Sequence, residues 1–354
     1  MPDEPRTGTR PVRRARIKRL LATAAVGRVG RAVFRPLVRD RVAVFMLHRF
    51  SEPDLGIQGD DPKVLRRALE TLRAHRVPLL SLETVVQRAR TGEGGGGVAF
   101  TVDDGYSDFH HAGAPLFREL DVPVTVFLST GFIDGRYWFW WDKLAYACDL
   151  TGRETISISD LDLRLRFSSI ADREGAAGHL AERIKALPQG LRNEMINQAL
   201  DALEVDIPTS PPPNFSPMTW DQIRSASSQG VDFGPHTINH PSLATLGPAE
   251  SQREIAGSFR RLQEELDAPL PVFCFPYGLE QDVSHGAASL VQAAGLHGAL
   301  TAIPGYVSSD GQTRSDPFLL PRFAMPNNLA DISQIAFGFQ RFKEVSRSFF
   351  GLSF

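Results

Sequence analysis

Three short segments carry residues whose types and spacing suit catalysis. Asp103, Asp104 and Gly105 directly follow the apolar run 98–102, so two carboxylates emerge from the end of a buried strand into a tight turn. Adjacent side chains on a strand point to opposite faces, but a turn can bring both into one pocket, where one binds a cation and the other handles protons. Alone, such a triplet also describes a solvated turn. The second segment runs Gly234-Pro235-His236-Thr237-Ile238-Asn239-His240-Pro241, again after an apolar strand. Two imidazoles four residues apart face the same way on a helical turn, and the two prolines limit any helix here to about one turn. A lone His pair also serves as a cap or satisfies buried backbone groups. Combined with the acidic turn, the pair supplies two His and one Asp, the ligand count of an open catalytic metal site with room for water. The third segment, Phe273-Cys274-Phe275-Pro276-Tyr277-Gly278, is a strand ending in a proline and an aromatic. By itself it reads as a turn lined by core aromatics.

The surrounding pattern is one of alternating strands and helices. Residues 42–47 form an unbroken apolar run that stops at His48 and Arg49, as expected of a strand buried on both faces. Helical spacing follows over 62–75, then a short strand at 79–82, a helix at 83–90, a glycine hinge at 94–97 and the strand 98–102. A helix through Leu116 and Leu120 leads to a strand at 122–128. The alternation is interrupted over 137–218 by the aromatic cluster Trp138 to Trp141, a half-exposed strand at 161–167 and helices at 171–187 and 190–203, then a proline-rich linker. It resumes with helices at 220–230, 248–266 and 287–294 and strands at 231–233, 272–275 and 298–303. About seven strands with helices between them predict an α/β fold, a distorted (β/α) barrel carrying a mostly helical insertion. The domain organisation read this way is a basic leader 1–41, a barrel 42–326 with insertion and linker 137–218, and a C-terminal tail 327–354.

With 354 residues the chain can bury a sizeable core, and its formal charge of -2 hides an asymmetry. Residues 1–41 hold twelve Arg and Lys against Asp3, Glu4 and Asp40, a net of +9 that leaves -11 for the rest. Ile17, Leu20, Leu21 and Ala24 fall on one helical face with Arg16, Lys18 and Arg19 on the others, which suits either contact with an anionic membrane surface or a docking or disordered leader. No recognition motif follows the basic segment, so no nucleic acid is expected as a partner. Cys148 and Cys274 show neither a disulfide framework nor a thiolate metal spacing. No apolar stretch approaches the length of a membrane span, and the best signal-peptide core is short. The expectation is a cytoplasmic chain, peripheral to the inner face of the membrane if the leader binds it.

Taken in order, Thr101-Val102-Asp103-Asp104-Gly105, His236-Thr237-Ile238-Asn239-His240 and Phe275-Pro276-Tyr277-Gly278 resemble the polysaccharide deacetylase family with the NodB-homology domain. The resemblance runs from about residue 42 to 326 and implies a metal-dependent hydrolase that removes acetyl groups from N-acetylated sugars. It implies that Asp103 is the general base, that Asp104, His236 and His240 hold zinc or a similar divalent cation, and that the backbone amide of Tyr106 receives the oxyanion. Substrate contacts are expected at Pro276, Tyr277 and Trp141, the last from a cluster that either stacks on sugar rings or packs the insertion against the barrel. Two departures stand out. The family's late proton-donating His has only His297 to match it, within an apolar segment where it reads as a packed residue. The Arg that often begins the third motif is replaced by Cys274. His48, at the end of the first strand, is the first candidate for proton donor. Arg322 is the candidate to orient Asp103. The expected substrate is an N-acetylated oligo- or polysaccharide or a lipid-linked glycan. The alternatives are a carbohydrate-binding protein with little turnover and a deacylase of non-sugar amides.

Overall fold

The computed structural model describes residues 33–283 and 286–350. Strand β1 (Arg41–Leu47) is buried at five of its seven positions, as an apolar run covered on both faces must be. It pairs in parallel with β2 (Gly97–Val102), with Leu47 opposite Val102. β3 (Val124–Leu128) and β6 (Asp232–Pro235) extend the parallel ladder on one side, and β10 (Phe323–Ala324) on the other. A fifth neighbour, β9 (Val307–Ser308), pairs antiparallel with the start of β1. The sheet curls into a ring that single bonds, rather than ladders, complete. Leu270 N donates to Phe233 O at 2.8 Å next to β6, β7 (Val272–Cys274) pairs with β8 (Gly298–Leu300), and Thr301 N donates to Leu320 O at 2.8 Å shortly before β10. This is the expected irregular (β/α) barrel.

Helices α1 (Pro62–Ala74), α2 (Leu82–Thr91), α3 (Ala114–Glu119), α8 (Trp220–Ser228), α9 (Pro248–Glu265) and α10 (Ala287–Ala293) connect the strands. Between β3 and α8 come a single turn, α4 (Thr130–Ile133), and α5 (Trp140–Leu150), followed by the insertion: a hairpin of β4 (Thr155–Ile158) and β5 (Leu163–Arg166), then α6 (Ile170–Lys185) and α7 (Gln189–Leu203). Leu165, Leu180, Ile184, Ala199 and Leu203 pack there with Leu144 and Cys148 of α5 into an apolar core separate from that of the barrel.

One expected element is corrected. The strand at 79–82 is a lone bridge from Leu79 to Val98, because α2 already begins at Leu82. Within the C-terminal segment, α11 (Leu329–Ala336) sends Ile332, Ile335 and Ala336 into the main core, and α12 (Phe339–Phe350) follows it. Residues 1–32, which include the basic apolar-faced segment, lie outside the described residues. The described end of the leader holds Phe34, whose ring meets Phe339 and Phe342 at 5.3 and 5.2 Å. No helix of the described residues is long and apolar enough to cross a membrane.

Candidate active site

The carboxyl ends of the parallel strands bring the singled-out residues together. Because Leu47 and Val102 are in register and Asp103 N donates to Leu47 O at 2.9 Å, His48 and Asp103 leave adjacent strands at one level. His236 N likewise donates to Leu128 O at 3.0 Å as β6 ends. The chain then turns sharply at Asp104, whose φ is 76°, in a three-residue turn closed by Gly105 N on Asp103 O at 3.0 Å. Such turns are strained, and held strain of this kind clusters at functional sites. Only glycine fits next: Gly105 has φ of 95°, and a Cβ there would stand 2.7 Å from the Leu128 side chain.

The His-x-x-x-His segment is not a helical turn. Its backbone is irregular, with Thr237 at φ 66° and His240 at φ 54°, and Pro235 and Pro241 flank it. Glu254 of α9, buried, builds the loop from beneath: Oε2 accepts from Ile238 N and Asn239 N at 2.8 and 2.9 Å, and Oε1 from Asn239 Nδ2 at 2.7 Å. His240 N donates to Thr237 Oγ1 at 3.0 Å. The outcome is the one a helix would have given, two imidazoles on one cation-sized space, reached by a loop.

Asp104, His236 and His240 are buried and converge. Asp104 Oδ1 lies 3.6 Å from His236 Nε2 and 3.3 Å from His240 Nε2, yet it has no hydrogen-bond partner. Three ligands about 2.0–2.1 Å from a tetrahedral zinc-type ion stand roughly 3.3 Å apart, so the donor set fits a divalent cation. An orphaned buried carboxylate oxygen facing two imidazole nitrogens is costly without one. His236 Nδ1 sits 2.8 Å from Cys274 O, the outer contact that directs Nε2 inward. Burial, outweighing the pull of Asp103 and Asp104, lowers the His236 pKa to about 4, so the ring is neutral as a ligand must be.

Asp103, His236 and Cys274 also cluster, but that group is occupied by hydrogen bonds. Arg322 grips both oxygens of Asp103, Nη1 on Oδ1 and Nη2 on Oδ2, each at 2.8 Å. Its Nε donates to Thr301 O at 2.9 Å, and Nη2 lies 3.0 Å from Cys274 Sγ. Burial pushes the Asp103 carboxyl up, but the Arg322 charge and hydrogen bonds outweigh it and hold the group well below the usual carboxylate range. Burial pushes the Cys274 thiol well above its ordinary value, and its sulfur is engaged by Arg322 and by Asp103 Oδ2 at 3.5 Å. Arg322, just before β10 and two strands from β2, thus reaches Asp103 at the place where Cys274 has no charge to offer.

These groups lie in a cavity of about 1550 Å³ between the barrel's carboxyl end and the insertion. His48, exposed, and Trp141 and Tyr277, half-buried, line it. Trp141 stacks on Phe139 at 4.4 Å, meets His240 edge-on at 5.2 Å, and donates from Nε1 to Tyr106 Oη at 3.1 Å. Trp140 donates to Tyr277 Oη at 3.1 Å, whereas Trp138 is buried against Phe215 and Tyr146. The cluster therefore divides between packing and the cavity wall. Pro276 does not line the cavity. It is buried, and its carbonyl accepts from Gly278 N at 2.6 Å to form the turn that presents Tyr277 at φ 59°. His297 is exposed, not packed, and lines a different cavity beside Glu83, Arg90 and Pro271.

Sequence reasoning gave Tyr106 a backbone role only. Its N–H donates to no protein acceptor among the described residues, while its buried hydroxyl donates to Asp142 Oδ2 at 2.6 Å and the Arg49 guanidinium lies 4.0 Å above its ring. Asp142 lines the cavity, and burial, partly offset by Tyr106 and Arg49, pushes its carboxyl up to about 7. A change of His240→Ala is expected to lower bound metal by about one equivalent per chain, because two ligands hold a divalent ion far less tightly than three. Equal metal content in wild type and variant would reject the ligand set.

Comparison with known proteins agrees with the geometry. The fold is similar to that of the Streptococcus pyogenes deacetylase PplD, solved in complex with acetate (TM-score 0.53, 14% identity, covering 84% of this chain and 99% of that one). It is also similar to IcaB from Ammonifex degensii (TM-score 0.51, 17% identity, 84% and 97% covered) and to a polysaccharide deacetylase from Bacillus cereus (TM-score 0.50, 13% identity, 84% and 69% covered). No curated protein matches the sequence. The sequence model of polysaccharide deacetylases matches residues 91–298, more than half of the chain and the stretch that holds the acidic turn, both imidazoles and the Pro-Tyr-Gly turn. The chain belongs to the polysaccharide deacetylase family, hydrolases that act on the carbon–nitrogen bond of acetylated sugars.

Proposed function

We propose that the chain removes an N-acetyl group from an amino sugar of an oligo- or polysaccharide or lipid-linked glycan, using a divalent metal, expected to be zinc, held by Asp104, His236 and His240. One observation carries the reading: the orphaned Asp104 Oδ1 faces two imidazole nitrogens beside a second carboxylate that an arginine fork fixes at the floor of the same cavity. An acetamide is a poor electrophile, and the metal, when bound, supplies the Lewis acidity that polarises its carbonyl and acidifies the attacking water. Asp103, oriented by Arg322, accepts the water's proton. The Tyr106 N–H, which has no other acceptor among the described residues, donates to the oxygen on which charge develops. Trp141 and Tyr277 line the cavity that would receive the sugar.

The leaving amine needs a proton. Two ionisable groups on the cavity wall, His48 and Asp142, are placed to supply it directly or through water. An acid at Asp142 is protonated below about 7 and loses its proton above, so its share of the rate falls as pH rises through that value. The same raised pKa means that folding stability declines as pH rises from the ordinary carboxylate value through about 7, because only the folded state keeps the proton there. Asp142→Asn is expected to abolish the alkaline fall of kcat/KM and to remove that pH dependence of stability. If the fall persists in Asp142→Asn and disappears in His48→Gln, His48 is the donor.

A binding protein without turnover is the reading favoured if the base lacked its arginine. Arg322 supplies that contact, which supports catalysis instead. Acetate release from N-acetylglucosamine oligomers, lipid-linked acetamido sugars, and non-sugar acetamides and formamides tests the proposal. Release from the sugars is expected. Binding without release, or release from the non-sugar amides only, would overturn it.

A further inference from the structure

The large apolar side chains exposed among the described residues are Val33, Leu55, Leu150, Ile170, Leu191, Leu279 and Leu319. Four of these seven, Leu55 (54%), Leu150 (55%), Ile170 (74%) and Leu279 (42%), line the cavity that holds Asp103 and Asp104. They come from separate parts of the chain: the loop after β1, the end of α5, the start of α6 and the loop after β7. None is a member of an apolar core cluster. A single exposed leucine needs no explanation, but convergence of four on the opening of one catalytic cavity marks a binding surface.

The chemistry of the surface is specific. Pyranose rings are matched by aromatic faces and hydrogen-bonding groups, and these lie deeper, at Trp141, Tyr277 and the carboxylates. Branched aliphatic side chains offer neither, and their complement is a saturated chain. The cations nearby are already engaged, with Arg173 donating to the carbonyls of Cys148, Asp149 and Thr151 and Lys185 paired with Glu182. Ile57, Ala145, Ala177 and Phe215 also line the cavity, beside polar side chains such as Gln58, Glu174 and Gln281.

We propose that this rim is a subsite for an aliphatic chain carried by the substrate, so that the enzyme acts on an N-acetylated sugar joined to a lipid rather than on a free polysaccharide. The proposal rests on the deacetylase reading and refines it. The floor would hold the acetamido group while the chain lies across Leu55, Leu150, Ile170 and Leu279.

Calorimetric binding of methyl and dodecyl β-D-glucosaminide, kept below the concentration at which the dodecyl compound forms micelles, reads the rim without any turnover. The dodecyl glycoside is expected to bind at least about tenfold more tightly, since each buried methylene adds to affinity. In Ile170→Asp and Leu279→Asp the ratio of the two affinities is expected to fall towards one. Both residues are exposed and outside every core cluster, and an acidic residue at the start of α6 suits the helix. Equal affinity of the two glycosides for the wild-type protein would overturn the proposal. So would a dodecyl preference untouched in both variants. Loss of association with phosphatidylcholine vesicles in the variants, at an unchanged dodecyl preference, would make the rim a membrane-docking surface instead. Acetate release from the corresponding N-acetyl glycosides is measured in parallel: its absence beside an intact dodecyl preference would overturn the deacetylase reading and not the rim.

Discussion

Asp103→Asn is expected to lower turnover by at least about a hundredfold, since an amide cannot accept the water's proton at neutral pH. Metal content should stay at the wild-type level, because the proposed ligands are Asp104, His236 and His240. The sequence alone leads to a second expectation, that the fold is indifferent to this change, and the structure revises it. Asp103 and Arg322 are both buried and joined by two parallel hydrogen bonds, so removing the carboxylate charge leaves a buried guanidinium without its counter-charge. Breaking such a pair from one side costs about 3–5 kcal/mol. The variant should therefore melt at a lower temperature while still binding metal. Near-normal turnover would show that another group acts as base.

Arg322→Met should cost a similar amount of stability with the opposite charge left over, because Asp103 then remains as an unpaired carboxylate in the core. The sign of the pH dependence follows from the pair. With the folded pKa of Asp103 depressed, the stability it lends is present above the ordinary carboxylate value and is lost only as pH falls through the depressed folded value. Without the arginine, burial alone governs the group and its pKa rises, so the acid limb of kcat/KM should move to higher pH. Arg322→Lys keeps a charge but not the planar fork, and is expected to retain more stability than the Met variant while losing rate on amide and activated ester substrates alike. An acid limb that does not move in Arg322→Met would separate Arg322 from the base.

Much of this site was legible because buried parallel strands write themselves as apolar runs that end at polar residues. The runs ending at His48, Asp103 and His236 predict strand ends on one rim, and the register of β1 with β2 and of β3 with β6 places them there. Spacing could not show how two imidazoles four apart would be presented. Here left-handed Thr237 and His240 and the buried Glu254 do what one helical turn would have done. Glu254 did leave a trace, since it falls on the stripe Ser251, Ile255, Ser258, Phe259 and Leu262 that α9 buries, where a carboxylate needs partners. Asp142 is legible only as a fallback proton donor after His48: one acid after an aromatic cluster does not reveal a hydroxyl donor 36 residues away. β9 and β10, two residues each, are too short for any periodicity. α11 sends one apolar side into the main core, a role that a position near the chain's end does not disclose.

A metal held by Asp104, His236 and His240 is proposed to serve the removal of acetyl groups from amino sugars. Acetate release should be followed with the purified protein, with the same protein stripped by a chelator until metal analysis reads zero, and after return of one equivalent of zinc per chain. Release is expected to stop on stripping and to return with that single equivalent. Continued release by protein shown to be free of metal would show that the reaction needs none.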